Sequence, residues 1–146
     1  PSGLSYYPKK DELFIADGVT NTVVYFTHAS ELLVKDEIVV QSGGKTFKCK
    51  YPGSRNPCGV LVKAGSPLNA PMAMASLPNG NVIVANTAGG NTLVELTPTG
   101  QVLATKVIDS NKTQGIYGLF AIGTSDTNTA LYYTDTNDGK LHELEQ

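Results

Sequence analysis

Internal repetition constrains the fold of this chain more than any other feature, because three segments of the sequence can be aligned with one another. Each copy has an apolar run containing a small residue, a second run ending in Asp or Asn, and a third run. The runs are residues 1–7, 13–17 and 22–26; residues 71–77, 82–86 and 92–96; and residues 116–122, 131–135 and 140–144. Units this small cannot bury their own apolar faces and must stack on neighbours. The sequence therefore predicts a repeat protein.

The composition of the runs indicates β-structure. They are short, rich in Val, Ile, Tyr and Thr, and separated by clusters of Gly, Pro, Asn and Asp, as strands and turns are. The equivalent residues Asp17 and Asn86 are 69 positions apart, and Asn86 and Asp135 are 49 apart. This irregular spacing suits one four-stranded propeller blade per unit, with an insertion in the first. Within that insertion, residues 29–36 are compatible with a short helix, a strand or a loop.

The predicted fold class is therefore all-β, with about three propeller blades of four antiparallel strands. Blade 1 covers about residues 1–70 with an insertion at 29–58, blade 2 about 71–110, and blade 3 about 114–146. Residues after 144 are too few to supply an outer strand for blade 3, and a closed ring needs roughly four to eight blades. Either the chain is the C-terminal part of a longer propeller, which we favour, or several copies close the ring. The missing blades are thus the expected partners.

Charge and cysteine content narrow the functional classes. A net charge of −2 with 16% charged residues gives no basic surface for nucleic acid or for a membrane. No apolar run is long enough for a helix that spans a membrane.

Cys49 and Cys58 flank a loop rich in Pro and Gly, which allows a disulfide, although two free thiols remain the alternative. A metal site is less favoured because two thiols do not supply four ligands. A disulfide would imply an extracellular or periplasmic location.

The repeats also carry a family resemblance. A small residue in the inner strand, the turn Asn79-Gly80-Asn81, and strands reading VIVAN, FIAD or YYTD, followed in the second unit by NTLVEL, resemble the NHL and YVTN-type β-propellers of bacterial secreted proteins. The resemblance covers most of the chain outside residues 29–70. It implies a propeller fold and a superfamily that includes binding scaffolds, lactonase-like hydrolases and lyases. Membership of such a fold does not fix a function.

Candidate site residues follow from the equivalent positions. Asp17, Asn86 and Asp135 end their second strands, so their side chains are expected at one mouth of the channel, and Tyr117 is expected where an inner strand enters it. The resemblance implies that such oxygen ligands could hold Ca²⁺, as in lactonase-like propellers. The alternative, which we prefer, is that each Asp or Asn caps the turn after its strand.

Other catalytic signals are weak. His28 and His142 have no repeated partner and are interpreted as surface or half-buried residues. The serine hydrolase elbow, the helical zinc motif and a phosphate-binding glycine loop are absent from the sequence. The preferred function is therefore a non-enzymatic, secreted or periplasmic scaffold that binds a ligand or protein and needs no cofactor. The alternative is a metal-dependent lactonase- or lyase-like enzyme, with Ca²⁺ as its cofactor.

Overall fold

The computed structural model describes residues 1–34, 38–41, 46–49, 59–109, 119–124 and 130–145. The regular elements, in chain order, are β1 (Gly3–Tyr7), β2 (Glu12–Asp17), β3 (Thr22–Thr27), α1 (Ala29–Val34), β4 (Ile38–Gln41), β5 (Thr46–Cys49), β6 (Gly59–Ala64), β7 (Pro71–Ser76), β8 (Val82–Asn86), β9 (Thr92–Leu96), β10 (Val102–Val107), β11 (Leu119–Thr124), β12 (Ala130–Asp135) and β13 (Lys140–Glu145). None of the helices formed by these residues is long and apolar enough to cross a membrane.

The strands form four antiparallel sheets. Blade 1 is β1-β2-β3-β6, blade 2 is β7-β8-β9-β10, and blade 3 is β11-β12-β13; the strands β4 and β5 pair as a separate hairpin. The predicted all-β class is confirmed, and the predicted middle strands of blade 2 match the observed ones. Within the described residues, blade 3 has three strands, as the sequence predicts.

Alternation along each strand gives every blade two faces. Phe14, Ala16 and Val23 of blade 1 point towards blade 2 and are fully buried. They pack in one cluster with side chains of blade 2. The blade 2 members are Met74, Val82, Val84, Val94 and Leu96. Each fully buried side chain of this size stabilises the fold by about 1.5–3 kcal/mol, so the contact between blades 1 and 2 is the main core of the described chain.

The opposite face of blade 2 packs against blade 3 in the same way. Ala85 and Leu93 lie in one cluster with Leu131 and Tyr133, and Ala73 and Ala75 of the inner strand complete it. The inner strand β7 lies beside both β1 and β11. The three blades therefore stack in sequence order.

The elements α1, β4 and β5 form a small subdomain on blade 1, here called the cap, and its first element is a helix rather than a strand or loop. Asp11, in the turn between β1 and β2, holds the start of α1. Its carboxylate accepts hydrogen bonds from the Ser30 amide at 2.9 Å and from the Ser30 hydroxyl at 2.8 Å. The Ser30 amide, aided by the hydroxyls of Ser30 and Tyr6, holds the pKa of Asp11 below its usual range. A carboxylate at a helix N-terminus stabilises that helix.

Close packing of β1 and β7 explains the small residue at one position of the first two units. A side chain on Gly3 would lie 2.6 Å from the Met72 carbonyl oxygen. Two serines make a polar contact nearby, since the Ser5 and Ser76 hydroxyls are 2.7 Å apart. The equivalent residue in blade 2 is Ala73, which is buried, so β1 and β7 approach closely where both residues are small.

Two asparagines fix the connection between blades 1 and 2. Asn21 adopts a positive φ of 52° immediately before β3. Its side-chain oxygen accepts a hydrogen bond from the Ala70 amide at 2.7 Å, and its carbonyl accepts one from the Gly65 amide at 2.9 Å. Asn tolerates this left-handed conformation better than most residues. Asn86 completes the connection from the blade 2 side.

Asn86 is fully buried and uses both ends of its amide. Its oxygen accepts a hydrogen bond from the Asn69 amide at 2.9 Å. Its nitrogen donates to the Pro67 carbonyl at 2.8 Å and to the Thr92 hydroxyl at 2.9 Å. Asn86 therefore satisfies the Asn69 amide and the Pro67 carbonyl of the segment leading into β7.

We expect Gly3→Ala to destabilise the protein. The added methyl group meets backbone rather than a flexible side chain, so β1 must move away from β7 at a cost of about 1–3 kcal/mol. Denaturant unfolding of the purified protein measures this cost. Leu4→Ala, at the exposed neighbouring position, is the control and is expected to cost less. Equal stability of Gly3→Ala and the unchanged protein would contradict the close packing.

We expect Asn86→Ala to cost about 2–4 kcal/mol of unfolding free energy, because it leaves buried partners without a hydrogen bond. Asn79→Ala is the matched control, since Asn79 caps an exposed turn through the Asn81 amide. Thermal and denaturant unfolding of both variants give the comparison. A similar small loss in both would show that Asn86 does not hold the connection.

Candidate functional site

Asp17 ends β2 and binds the turn that follows it. Its Oδ1 accepts hydrogen bonds from the Val19 amide at 2.8 Å and from the Thr20 amide at 3.1 Å, and its Oδ2 lies 3.4 Å from the Pro1 nitrogen. Burial raises the pKa of Asp17, but these amides and the Pro1 nitrogen outweigh that effect and hold the pKa below its usual range. The carboxylate therefore stays ionised near neutral pH.

Asn86 and Asp135 occupy the equivalent positions in blades 2 and 3. Asn86 binds the connection described above, whereas Asp135 caps its own hairpin by accepting the Asn137 amide at 2.9 Å. The hydrogen bonds observed among the described residues give Asp17, Asn86 and Asp135 no shared partner. Their joint role as Ca²⁺ ligands at a channel mouth stays a prediction.

Asp135 instead faces a polar cavity of about 240 Å³ at the boundary between blades 2 and 3. The end of blade 2 contributes Ile108 and Asp109, and the β12–β13 hairpin contributes the rest. The remaining lining residues are Tyr133, Asp135, Asn137, Asp138 and His142. Three carboxylates therefore meet one histidine and one tyrosine in a space of small-molecule size.

The cavity lies where the repeat departs from its own pattern. In blade 1 the facing residues on the second and third strands are Ile15 and Val24, and in blade 2 they are Val84 and Val94. In blade 3 the same cross-strand pair is Tyr133 and His142.

The two rings of this pair are stacked, with centroids 5.0 Å apart and an interplanar angle of 12°. A polar aromatic pair thus replaces an aliphatic core pair, and the cavity lies beside it.

His142 is oriented by a carboxylate. Its Nε2 lies 2.9 Å from Asp138 Oδ2, and the two side chains are 32% and 38% exposed. Burial raises the pKa of Asp138, but the hydrogen bonds from His142 and from the Lys140 amide outweigh it and lower the pKa overall. The pair is accessible to solvent and to a ligand. A histidine held this way can bind a ligand or move a proton.

A hydrogen bond also links two residues that line the cavity, Asp109 and Asn137. Asp109 accepts a hydrogen bond from the Asn137 side-chain nitrogen at 2.5 Å, which joins the end of blade 2 to the hairpin of blade 3. Burial raises the pKa of Tyr133, and the nearby carboxylates of Asp135, Asp138 and Asp109 raise it further. The phenol therefore stays protonated near neutral pH and can donate a hydrogen bond.

The structure does not test the predictions for Tyr117 and the two cysteines. Tyr117, Cys58 and the side chain of Cys49 lie outside the part of the chain that the structure describes, so the channel role and the disulfide stay predictions. Across the described ranges, no group of three or more His, Cys, Asp or Glu side chains is arranged to hold a metal ion.

The sequence placed Asp135 among the candidate site residues and indicated a surface or half-buried His142, which agrees with its 32% exposure. It did not place His142 with Asp138, Tyr133 and Asp109 in one cavity. The available signal was the alignment of the three units, in which Val24 and Val94 correspond to His142. When each histidine is considered alone, the replacement of a buried valine by His142 at this position of the repeat is not visible. A polar residue at a position that is apolar in the other repeats is an indication of function, because it breaks the local packing rule.

Comparison with known proteins supports the fold and does not identify a family. No protein-family profile matches the chain, and no curated protein matches its sequence significantly. A chain of the nidogen/laminin complex superimposes with a TM-score of 0.58 at 14% identity, covering 98% of this chain and 42% of that one. Hydrazine synthase of Kuenenia stuttgartiensis superimposes with a TM-score of 0.54 at 14% identity, covering 100% of this chain and 36% of that one.

A streptogramin B lyase matches more loosely, with a TM-score of 0.45 at 18% identity, covering 100% of this chain and 55% of that one. At such identities the likeness concerns the fold alone. The chain spans about two fifths or less of the first two structures. Together with the antiparallel sheets, the likeness to the chain of the nidogen/laminin complex supports a partial β-propeller fold for the described residues.

Proposed function

We propose that this chain belongs to a secreted or periplasmic β-propeller that acts as a binding module rather than an enzyme, and that it holds a small organic cation in the cavity of blade 3. One observation carries the proposal. The aliphatic pair found in blades 1 and 2 is replaced by Tyr133 and His142, and a polar cavity opens beside them. Packing alone would favour the aliphatic pair of the other blades.

Charge favours a cation as the ligand. Asp109, Asp135 and Asp138 line the cavity, and His142 is the one basic side chain among its described lining residues. The ring of Tyr133 is buried and stacked on His142, so the attraction of a cation rests on the carboxylates.

Size limits the ligand further. A cavity of about 240 Å³ is below the usual range of about 300–1,000 Å³ for drug-sized ligands. Ile108 supplies an apolar wall beside the carboxylates. A short alkylammonium group, free or at the end of a larger molecule, fits both the size and the mixed lining.

The proposed cellular location is supported by features of the sequence. The resemblance to propellers of secreted bacterial proteins and the predicted Cys49–Cys58 disulfide both favour an oxidising, extracytoplasmic compartment. Mass spectrometry of the protein with and without reduction tests the disulfide. A pair of free thiols in freshly purified extracellular material would remove this support.

We expect methylammonium to bind saturably in the cavity and acetate not to bind. The measurement is an NMR titration that follows the backbone amides of Asn137 and Asp138. Asp138→Asn should weaken methylammonium binding about two- to fivefold, as loss of one accessible charge contact does. Glu143→Gln is the matched control, because Glu143 neighbours His142 on β13 but points to the other face. Equal shifts with acetate, or no saturation with either probe, would contradict the proposal.

We expect His142→Leu to weaken methylammonium binding, because it removes the side chain that orients Asp138. It should move the midpoint of thermal unfolding by less than about 3 °C, since leucine restores an apolar residue at this position. Circular dichroism measures the unfolding. A large loss of stability with unchanged binding would instead assign His142 a structural role.

The second candidate is an enzyme, and the contact between His142 and Asp138 is the observation that favours it. Such a pair can serve as a general base when a substrate places a proton within reach. For the metal-dependent lactonase- or lyase-like form, the metal ligands would have to include residues beyond the described ones. Lactone hydrolysis measured with Ca²⁺ and with chelator, in the unchanged protein and in His142→Leu, tests this. Hydrolysis that needs both Ca²⁺ and His142 would favour the enzyme over the binding module.

A further inference from the structure

A second cavity, of about 190 Å³, lies beside the first between blades 2 and 3. Most of its lining is apolar. The apolar residues are Ile83, Leu93 and Ala104 of blade 2 and Leu131 and Leu144 of blade 3. None of these residues belongs to the cation site proposed above, so the second cavity has no role in that site as described.

The second cavity lies where a stacked aromatic pair is missing from blade 2. At the contact between blades 1 and 2, blade 1 presents the cross-strand pair Phe14 and Tyr25, whose rings are stacked with centroids 5.4 Å apart. The corresponding pair of blade 2, which faces blade 3, is Ile83 and Glu95. Phe14 is fully buried, whereas Ile83 is only partly buried. The smaller pair thus leaves open the space that two rings fill at the preceding contact.

The blade 3 side of this cavity keeps its apolar residues. Leu131 and Leu144 are paired across β12 and β13, and both line the cavity. Their counterparts in blade 2, Val82 and Leu96, are fully buried against blade 1. Leu144 is only partly buried, so it keeps apolar surface that a ligand can cover.

The two cavities lie side by side along the same strands. On blade 3, the pair Leu131 and Leu144 in the second cavity is next to the stacked pair in the first, on the same face of the sheet. On blade 2, Lys106 in the second cavity is two residues before Ile108 in the first. Residues two apart in a strand point to one face and are separated by about 7 Å. A molecule with a chain of several methylene groups is therefore long enough to occupy both cavities.

The charges differ between the two cavities. Three carboxylates line the first, whereas the charged residues lining the second are Glu95, Glu145 and Lys106, which include both signs. Glu95 accepts a hydrogen bond from the Asn81 side-chain nitrogen at 2.7 Å. Lys106 and Glu145 are exposed, so their charges are solvated. The first cavity therefore favours an ammonium group, and the apolar part of the second favours an uncharged chain.

We propose that the ligand of this chain is a primary amine with an unbranched aliphatic tail, an inference that rests on the cation site proposed above. The ammonium group binds among the carboxylates of the first cavity. The tail passes Ile108 and covers Leu131 and Leu144 in the second cavity. An unbranched tail suits the small volume of this cavity, and its burial adds affinity that a short alkylammonium group alone does not have.

The experiment compares methylammonium, n-hexylammonium and n-hexanol in NMR titrations of the unchanged protein. We expect n-hexylammonium to bind at least about tenfold more tightly than methylammonium, because its tail buries methylene groups. It should also bind more tightly than n-hexanol, which has the same tail without the charge. The amides of Lys106 and Leu144 should shift with n-hexylammonium, in addition to those of Asn137 and Asp138. Methylammonium should shift only the latter two.

Two variants fill the second cavity without touching the first. Ala104→Leu does so from an exposed position of β10, and Ile83→Phe restores the residue that blade 1 has at the equivalent position. Each should bring the affinity for n-hexylammonium to within about twofold of that for methylammonium, and leave methylammonium binding unchanged. Thr105→Leu is the matched control, since alternation places this side chain on the other face of β10. It should change neither affinity.

The outcomes separate this inference from the proposed function. Equal affinities for methylammonium and n-hexylammonium would overturn the tail site and leave the cation site standing. Binding of n-hexanol as tightly as n-hexylammonium would also overturn the inference, because the tail would then bind without the ammonium group. So would an n-hexylammonium affinity that neither Ala104→Leu nor Ile83→Phe reduces. If none of the three probes binds, the proposed function fails and the aliphatic amine fails with it.

Discussion

The structure depends on one kind of contact, the packing of a cross-strand pair from one blade against the face of the preceding one. In blade 2 this pair is Val84 and Val94, both fully buried. Antiparallel register places the two side chains on the same face, and alternation sends their neighbours to the opposite face. Each blade can therefore contact two partners. The stacking order, the cap and the cavity all follow from what occupies these pairs.

The same cross-strand pair has a different environment in each of the three blades. In blade 2 the pair forms a core with blade 1, and in blade 1 it forms a core with the cap. In blade 3 it is a stacked Tyr133 and His142 beside a cavity. A repeat protein can change function at one such position without altering the backbone, because neighbouring blades keep the sheet in place.

The sequence was sufficient for the sheets because their signals are local. Runs such as residues 82–86 and 92–96 have strand composition, and turn residues bound them. It was insufficient for the cap, since residues 29–36 have no strong periodicity in the sequence and α1 depends on Asp11, which is distant in sequence. The cavity was missed for a related reason. The pairing of His142 with Asp138, and its stacking on Tyr133, are set by the register of β12 and β13, which residue type alone does not show.

The pairing of Phe26 with Gly59 has a consequence for how this chain can vary. It brings the two ends of the inserted segment together at a fixed point of the sheet, so the register of β3 and β6 does not depend on the length of the segment between them. Doubling the length of a flexible loop costs only about 0.6 kcal/mol. This junction is consequently a site at which segments of different length can be exchanged during evolution, while the strands on either side keep their register.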